Sequence, residues 1–232
     1  MPSSFSPQSP KIFKGAFAIY NSDEEDRNPL VVPFQYNPNQ MRRTLAHRTP
    51  RAASSTGSQD NTPQDMRRVA GPPVETLNMS IEISAADALE DPDANELVAK
   101  NGLYPALAAL EMLMYAPSFQ FEVNQRLASE GVTNVQPALL PLTLLVMGES
   151  RVVPVHVTSF SITEEAFDTN LNPIRAKVDV GMQVLSYLDV IEGNNQKAID
   201  VYVAYQKRKE KLAQDHRAQT PASQRTTNLL SE

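Results

Sequence analysis

The side chains of this sequence that could carry chemistry are few and scattered. His47, His156 and His216 stand far apart, and none has a second histidine at the spacing a zinc site requires. Asp91-x-Asp93-x-Asn95 opens like a calcium loop, but Glu96 occupies the position that needs glycine and Gly102 the position of the bidentate glutamate. Asp168-x-Asn170-x-Asn172 has the same defect, with Pro173 at the glycine position and Asp179 at the last ligand, so a turn between strands accounts for it better. Glu164 and Glu165 could in principle do acid/base work, yet neighbours in a strand point to opposite faces. No glycine-rich phosphate loop, GxSxG elbow or HExxH occurs. These patterns lead us to expect no enzyme activity, no metal and no cofactor.

Charge is the remaining candidate. Arg42, Arg43, Arg48 and Arg51 lie in a stretch without acids, Arg67 and Arg68 follow across a polar segment, and Lys207, Arg208, Lys209 and Lys211 cluster near the C-terminus. Nucleic-acid binding usually adds stacking aromatics or a readout helix, and neither accompanies these arginines. A formal charge of −6 offers nucleic acid no general attraction either. A solvated face is the plain reading of such clusters, and an acidic protein partner comes next. The candidate interface residues are therefore Arg42, Arg43, Arg48, Arg51, Arg67, Arg68, Lys207, Arg208 and Lys209, with Glu164 and Glu165 on the long hairpin.

The elements that must position these groups are mostly strands. In Val152 to Leu188, VVPVHVTSFSITEEAFDTNLNPIRAKVDVGMQVLSYL, apolar and polar residues alternate through Val153, Val155, Val157, Phe160 and Ile162, and again through Ile174, Ala176, Val178, Val180, Met182 and Val184. Period two marks half-buried strands, and TEEAFDTNLNP between the runs is rich in turn formers, so two long antiparallel strands joined by a polar loop are expected. His156 then belongs on the polar face. KIFKGAFAIY reads as a first strand and LVVPFQYNP as a second, with Pro33 suggesting an edge or bulge. MRRTLAHR reads as the start of a third, and VETLNMSIEIS alternates through Leu77, Met79, Ile81 and Ile83. The short apolar run PLTLLVMG suits a strand buried on both faces.

Two helical segments precede that run. ANELVAK is closed by Asn101-Gly102 as a left-handed cap, and LYPALAALEMLMYAP carries Leu103, Leu107, Leu110 and Met114 at helical spacing. From Asn194, a reasonable N-cap, NQKAIDVYVAYQKRKEKLAQDHRAQ reads as a helix whose apolar first half docks and whose charged second half projects. The expected organisation is a mobile arm at 1–10, a β domain at 11–190 with a long loop at 46–73, a helix at 191–217 and a disordered tail at 218–232. With 232 residues, 41% hydrophobic and 21% charged, the chain can bury one sizeable core. The absence of cysteine excludes disulfides, PSSFSPQSP after Met1 does not read as a Sec-type leader, and no stretch is apolar enough to span a bilayer.

FQYNP, VETLNMSIEIS and PLTLLVMGESRVVPVHVTSFSITEEAFDTNLNPIRAKVDVGMQVL together resemble the tube-type proteins of phage-tail-derived contractile injection systems. Within that family they are most similar to the tube-domain adaptor between spike and inner tube. The resemblance covers residues 11 to 190. It implies a mainly β (α+β) chain: a tail-tube-like β-barrel or sandwich with a flanking helix, here followed by a C-terminal helical extension. Phe34 to Pro38 would lie in an early strand and turn, and residues 150 to 188 in a long hairpin. It also implies a structural role in a ring, with six copies around a channel, joining the spike or hub to the inner tube at the baseplate. Partners would be further copies of the chain, the hub, the inner tube and baseplate proteins, with no nucleic acid and no direct membrane insertion. The particle would be built in a bacterial cytoplasm, whether it is later released or membrane-anchored. Relatives often carry a C-terminal LysM module, which a charged helix and polar tail replace here, so a tube-initiating or tube-terminating ring stays open beside the adaptor, as does a nucleic-acid accessory protein. Loop 46–73 would order on a neighbouring ring, and the terminal helix would meet a baseplate or spike partner.

Overall fold

In a computed structural model of the protein, residues 15–20, 29–33, 40–48, 69–132, 137–148, 150–190 and 196–219 are described. They build β1 (Ala16–Tyr20), β2 (Leu30–Pro33), β3 (Met41–Ala46), β4 (Val74–Ser84), α1 (Ala86–Leu89), α2 (Glu96–Asn101), α3 (Tyr104–Glu111), α4 (Ser118–Ser129), β5 (Leu142–Met147), β6 (Arg151–Phe167), β7 (Pro173–Val184) and α5 (Gln196–Gln219). The strands form one antiparallel seven-stranded sheet in the order β2-β1-β5-β6-β7-β4-β3. The fold is mainly β with helices, as expected, but among the described residues the sheet is not closed into the expected barrel. Among the described residues no ladder joins β2 to β3, so the sheet stays open with those two strands as its edges. It does curl: Arg151 Nη1 of β6 lies 3.7 Å from Met41 Sδ of β3, although β7 and β4 separate the two strands in the sheet. The register shifts along β6, at Val157/Ser159 and around Ala166, are the kind of bulge that bends a strand.

Alternation places the core on one face. Leu77, Met79, Ile81 and Ile83 of β4 are buried beside Ala176, Val178, Val180, Met182 and Val184 of β7 and Val153, Val155 and Val157 of β6. Phe17 and Ile19 of β1 and Val32 of β2 extend the same cluster, and His156 is exposed on the opposite face. In β5 three consecutive residues, Thr143, Leu144 and Leu145, are buried, which matches the reading of PLTLLVMG as a strand covered on both sides. Pro33 sits at the end of β2, an edge strand, where its missing N–H breaks no ladder.

The long hairpin departs from expectation at its tip. Thr163 to Phe167 continue β6 instead of opening the loop, which is reduced to Asp168–Asn172. Local propensity is overridden because β7 extends the ladder to the tip: Thr163, Glu164, Ala166 and Phe167 pair with Lys177, Ala176, Arg175 and Pro173, while Glu165 falls in a bulge. Asp168 closes the loop. Its Oδ1 accepts from the backbone N of Asn170 (2.7 Å) and Asn172 (2.8 Å), and its Oδ2 from Asn172 Nδ2 (2.9 Å). These bonds, those from Asn172 foremost, hold the Asp168 carboxyl below the usual 3.8. Asp91 serves its turn similarly, accepting from Ala94 N and, through its carbonyl, from Asn95 Nδ2.

The helices after β4 grip this tip. Leu103 N donates to Pro173 O at 2.8 Å, Ala85 N to Ile174 O at 2.9 Å, and Asn172 Nδ2 to Lys100 O at 3.1 Å. Gly102 ends α2 as the sequence suggests, with its N–H donating back to Val98 O at 2.8 Å, but at φ 59°, ψ −134° and not in the left-handed helical conformation expected. A Cβ there would stand 2.4 Å from Pro173 O, so glycine also sets how closely helix and hairpin approach. On the apolar stripe Leu103, Leu107 and Leu110 are buried, but the fourth buried position is Leu113 and not Met114, which is exposed. The helix tightens at its end, where Leu113 N bonds to Leu110 O and Met114 N to Glu111 O, and the i→i+3 spacing turns Leu113 inward.

The expected terminal helix is present, and its first half docks through Ala198, Tyr202 and Tyr205 while residues 210–216 are exposed. Several expectations fall outside the described residues: the arm at 1–10, Phe34 to Pro38, residues 49–68 of the long loop, Asn194 as a cap and the tail from residue 220. No helix among the described residues is long and apolar enough to cross a membrane.

Candidate assembly interface

Two of the singled-out cations meet on one carboxylate that the sequence reading passed over. Glu75 lies on the inward parity of β4 and is 4% exposed. Its Oε1 accepts from Tyr205 OH at 2.9 Å, its Oε2 from Lys209 Nζ at 2.7 Å, and Arg43 Nε approaches Oε1 at 3.8 Å. A buried carboxylate needs such partners to offset its lost hydration. Tyr205 and Lys209 thus fasten the helix to the sheet through a hydrogen bond and a charge pair, and Lys209 also lies 4.0 Å over the Tyr205 ring within α5. Upstream on α5, Lys197 Nζ stands 3.4 Å over the Tyr20 ring of β1, and Tyr202 meets Tyr187 edge-on at 6.3 Å. Burial, with the Glu75 charge behind it, raises the Tyr202 hydroxyl above its ordinary 10.0. Glu75 was legible in principle, because stepping back two residues from Leu77 along VETLNMSIEIS lands on it.

Arg48 belongs to a second network. Its Nη2 donates to both carboxylate oxygens of Asp189, at 2.7 and 2.6 Å, and to Ser186 Oγ at 3.3 Å, while Nε donates to Pro72 O at 3.1 Å. Ser186 adds its N–H and its hydroxyl to the Asp189 carboxylate, at 2.9 and 2.6 Å. Burial acts to raise the Asp189 pKa, but the bonds from Ser186 and Arg48 outweigh it and hold the carboxyl below 3.8. The segment after β3 is thereby tied to the segment after β7. No local sequence signal announces the pair, whose members are 141 residues apart.

The other candidates are spread out. Arg42 is exposed on β3, opposite Asn78 of β4, in a shallow groove that Ser80, Ser159 and Gly181 also line. Glu164 is half-buried and Glu165 exposed, in keeping with the alternation of β6. Lys207 and Arg208 are exposed on α5. Arg51, Arg67 and Arg68 lie outside the described residues. The structure thus joins Arg43 to Lys209 through Glu75, and it does not gather the described basic residues into one patch.

What it does leave open is backbone. β3 is exposed at every residue from Arg42 to Ala46 and pairs only with β4 among the described strands. β2 pairs only with β1 and exposes Leu30 and Val31. Past Val155, β6 pairs with β7 alone. Several large apolar side chains are exposed as well: Met112, Tyr115, Phe119, Phe121 and Leu171. Among the described residues no cluster of acids and histidines suited to a metal occurs. In comparisons with known proteins, no family model and no curated protein matches the chain.

Proposed function

We propose that this chain is a structural subunit that associates edge to edge with its own copies to form a closed ring. More particularly, we assign it to the tube-type proteins of contractile injection systems, as the six-copy adaptor that joins the spike or hub to the inner tube at the baseplate. The observation that carries the reading is the open antiparallel sheet, whose end strands β2 and β3 each pair on one side only among the described residues. A lone chain with unpaired edges invites association, and a ring pairs each edge with the next subunit and leaves none free. The likeness of the hairpin and early strand motifs to tube proteins supports the same assignment. The docked α5 fits it too: its first half is fastened to β4 and β1, and its charged second half extends away as a contact for a baseplate or hub protein.

The test is affinity purification of the tagged chain from its native host, with negative-stain electron microscopy of the eluate. Sheathed rods bearing the tag at the baseplate end are expected. A single small species, from cells shown to be producing rods, would refute the assignment.

A further inference from the structure

Helix α4 is at odds with its own sequence. Ser118–Ser129 contains no buried residue, and Phe119, Phe121 and Val123 are 44%, 56% and 40% exposed. A helix advances ~100° per residue, so Phe119 and Val123 share one side while Phe121 lies about 160° away. Phe119, Val123 and Leu127 make one stripe at i, i+4 and i+8, but Phe121 stands on the other side, and a helix that shows aromatic rings on two sides cannot bury both against one surface. In extended form Phe119, Phe121 and Val123 line one face and Gln120, Glu122 and Asn124 the other, which is the pattern of a half-buried strand. Phe and Val also favour strands over helices.

We infer that residues 118–124 convert to a strand on self-association and add, antiparallel, to the β3 edge of a second copy. Three features select that edge. Side chains of β3 alternate in register with β4: Met41, Arg43 and Leu45 face the core layer with Met79, Leu77 and Glu75, and Arg42 and Thr44 face outward with Asn78 and Thr76. If Glu122 pairs with Arg42, the antiparallel register sets Gln120 by Thr44 outside, and Phe119 by Leu45, Phe121 by the Arg43 stem and Val123 by Met41 inside. Apolar meets apolar, and the acid meets an arginine. The competing edges fit less well. The unpaired side of β6 carries Glu164 and Glu165, which would repel Glu122, and β2 is four residues long and ends at Pro33. Leu45, 51% exposed, and the three apolar residues of α4 would all leave water in one step. The inference shares with the proposed function only the need for copies to associate, not their place in a contractile particle.

Because the chain has no cysteine, two single variants, Gln120→Cys and Thr44→Cys, can be mixed as full chains and oxidised mildly. A disulfide between the two variants is expected, together with carbon-13 shifts of residues 118–124 moving from helical to extended on association. Glu122→Arg is expected to lower the cross-linking yield about fivefold and Arg42→Glu to restore it in the partner chain, as opposed cross-strand charges predict. Association without the disulfide, or with helical shifts retained, overturns the strand conversion while leaving the ring reading intact. A chain that stays monomeric when concentrated also overturns it, whereas the ring reading is decided by the tagged particles.

Discussion

Removing the carboxylate of Glu75 is expected to undock the C-terminal helix before it unfolds the sheet. In Glu75→Ala the Tyr205 hydroxyl, on a residue 6% exposed, loses its acceptor, which costs about 1–3 kcal/mol for an unsatisfied buried group. Lys209 and Arg43 are 39% and 42% exposed at the side chain and can rehydrate, so their combined share is about 1 kcal/mol or less. The total of about 1–4 kcal/mol corresponds to a fall in Tm on the order of 2–16 °C for a chain of this size. Glu75→Gln keeps an acceptor for Tyr205 and should lose about 1 kcal/mol. Thermal unfolding followed by tyrosine near-UV circular dichroism measures the shift, and amide exchange locates it. Protection should fall first in residues 198–209 and in β3, and least in β6 and β7. A double-mutant cycle of Glu75→Ala with Tyr205→Phe should give a coupling of ~1 kcal/mol. Additive effects, or a Glu75→Ala protein within ~0.5 kcal/mol of the parent, would refute the reasoning.

Gly102→Ala should destabilise the protein by about 1–3 kcal/mol in chemical denaturation, because the new Cβ meets the Pro173 carbonyl and the backbone has φ 59°; an unchanged midpoint would contradict that close approach. For Asp189 the folded pKa is depressed, so its contribution to stability is present above the ordinary 3.8 and is lost as pH falls through the lower folded value. Arg48→Met should therefore destabilise at pH 7 by about 1–3 kcal/mol and progressively less toward pH 3, as urea titrations at both values would record. Tyr202 has the opposite sign: its raised folded pKa contributes stability that is present below 10.0 and is lost as pH rises beyond it. Ultraviolet titration of tyrosinate should show α5 loosening in the parent at high pH and less change in Tyr202→Phe.

Much of the sheet was legible because alternation is a local property. A strand half-buried on one face must alternate, and β4, β6 and β7 do so whichever strands they pair with. The same local logic misled at the hairpin tip, where TEEAF resembles a turn until β7 extends the ladder along it. It was silent on α4, whose alternating FQFEV contradicts the helix it forms. Met114 lost its place in the core to Leu113 because the last turn of α3 tightened, and helical spacing cannot foresee that.

The candidate site divides in the same way. From the residues alone came the strand content, the edge position of Pro33, the docked and projecting halves of α5, and the lack of any catalytic or metal spacing. Only tertiary structure decided that the sheet stays open, that Arg43 and Lys209 converge on Glu75, and that Arg48 reaches Asp189. Periodicity records whether a side chain faces the core, which each residue expresses by its own hydrophobicity. Pairing between groups more than a hundred positions apart depends on which strands become neighbours, and that is settled by the packing of the whole sheet.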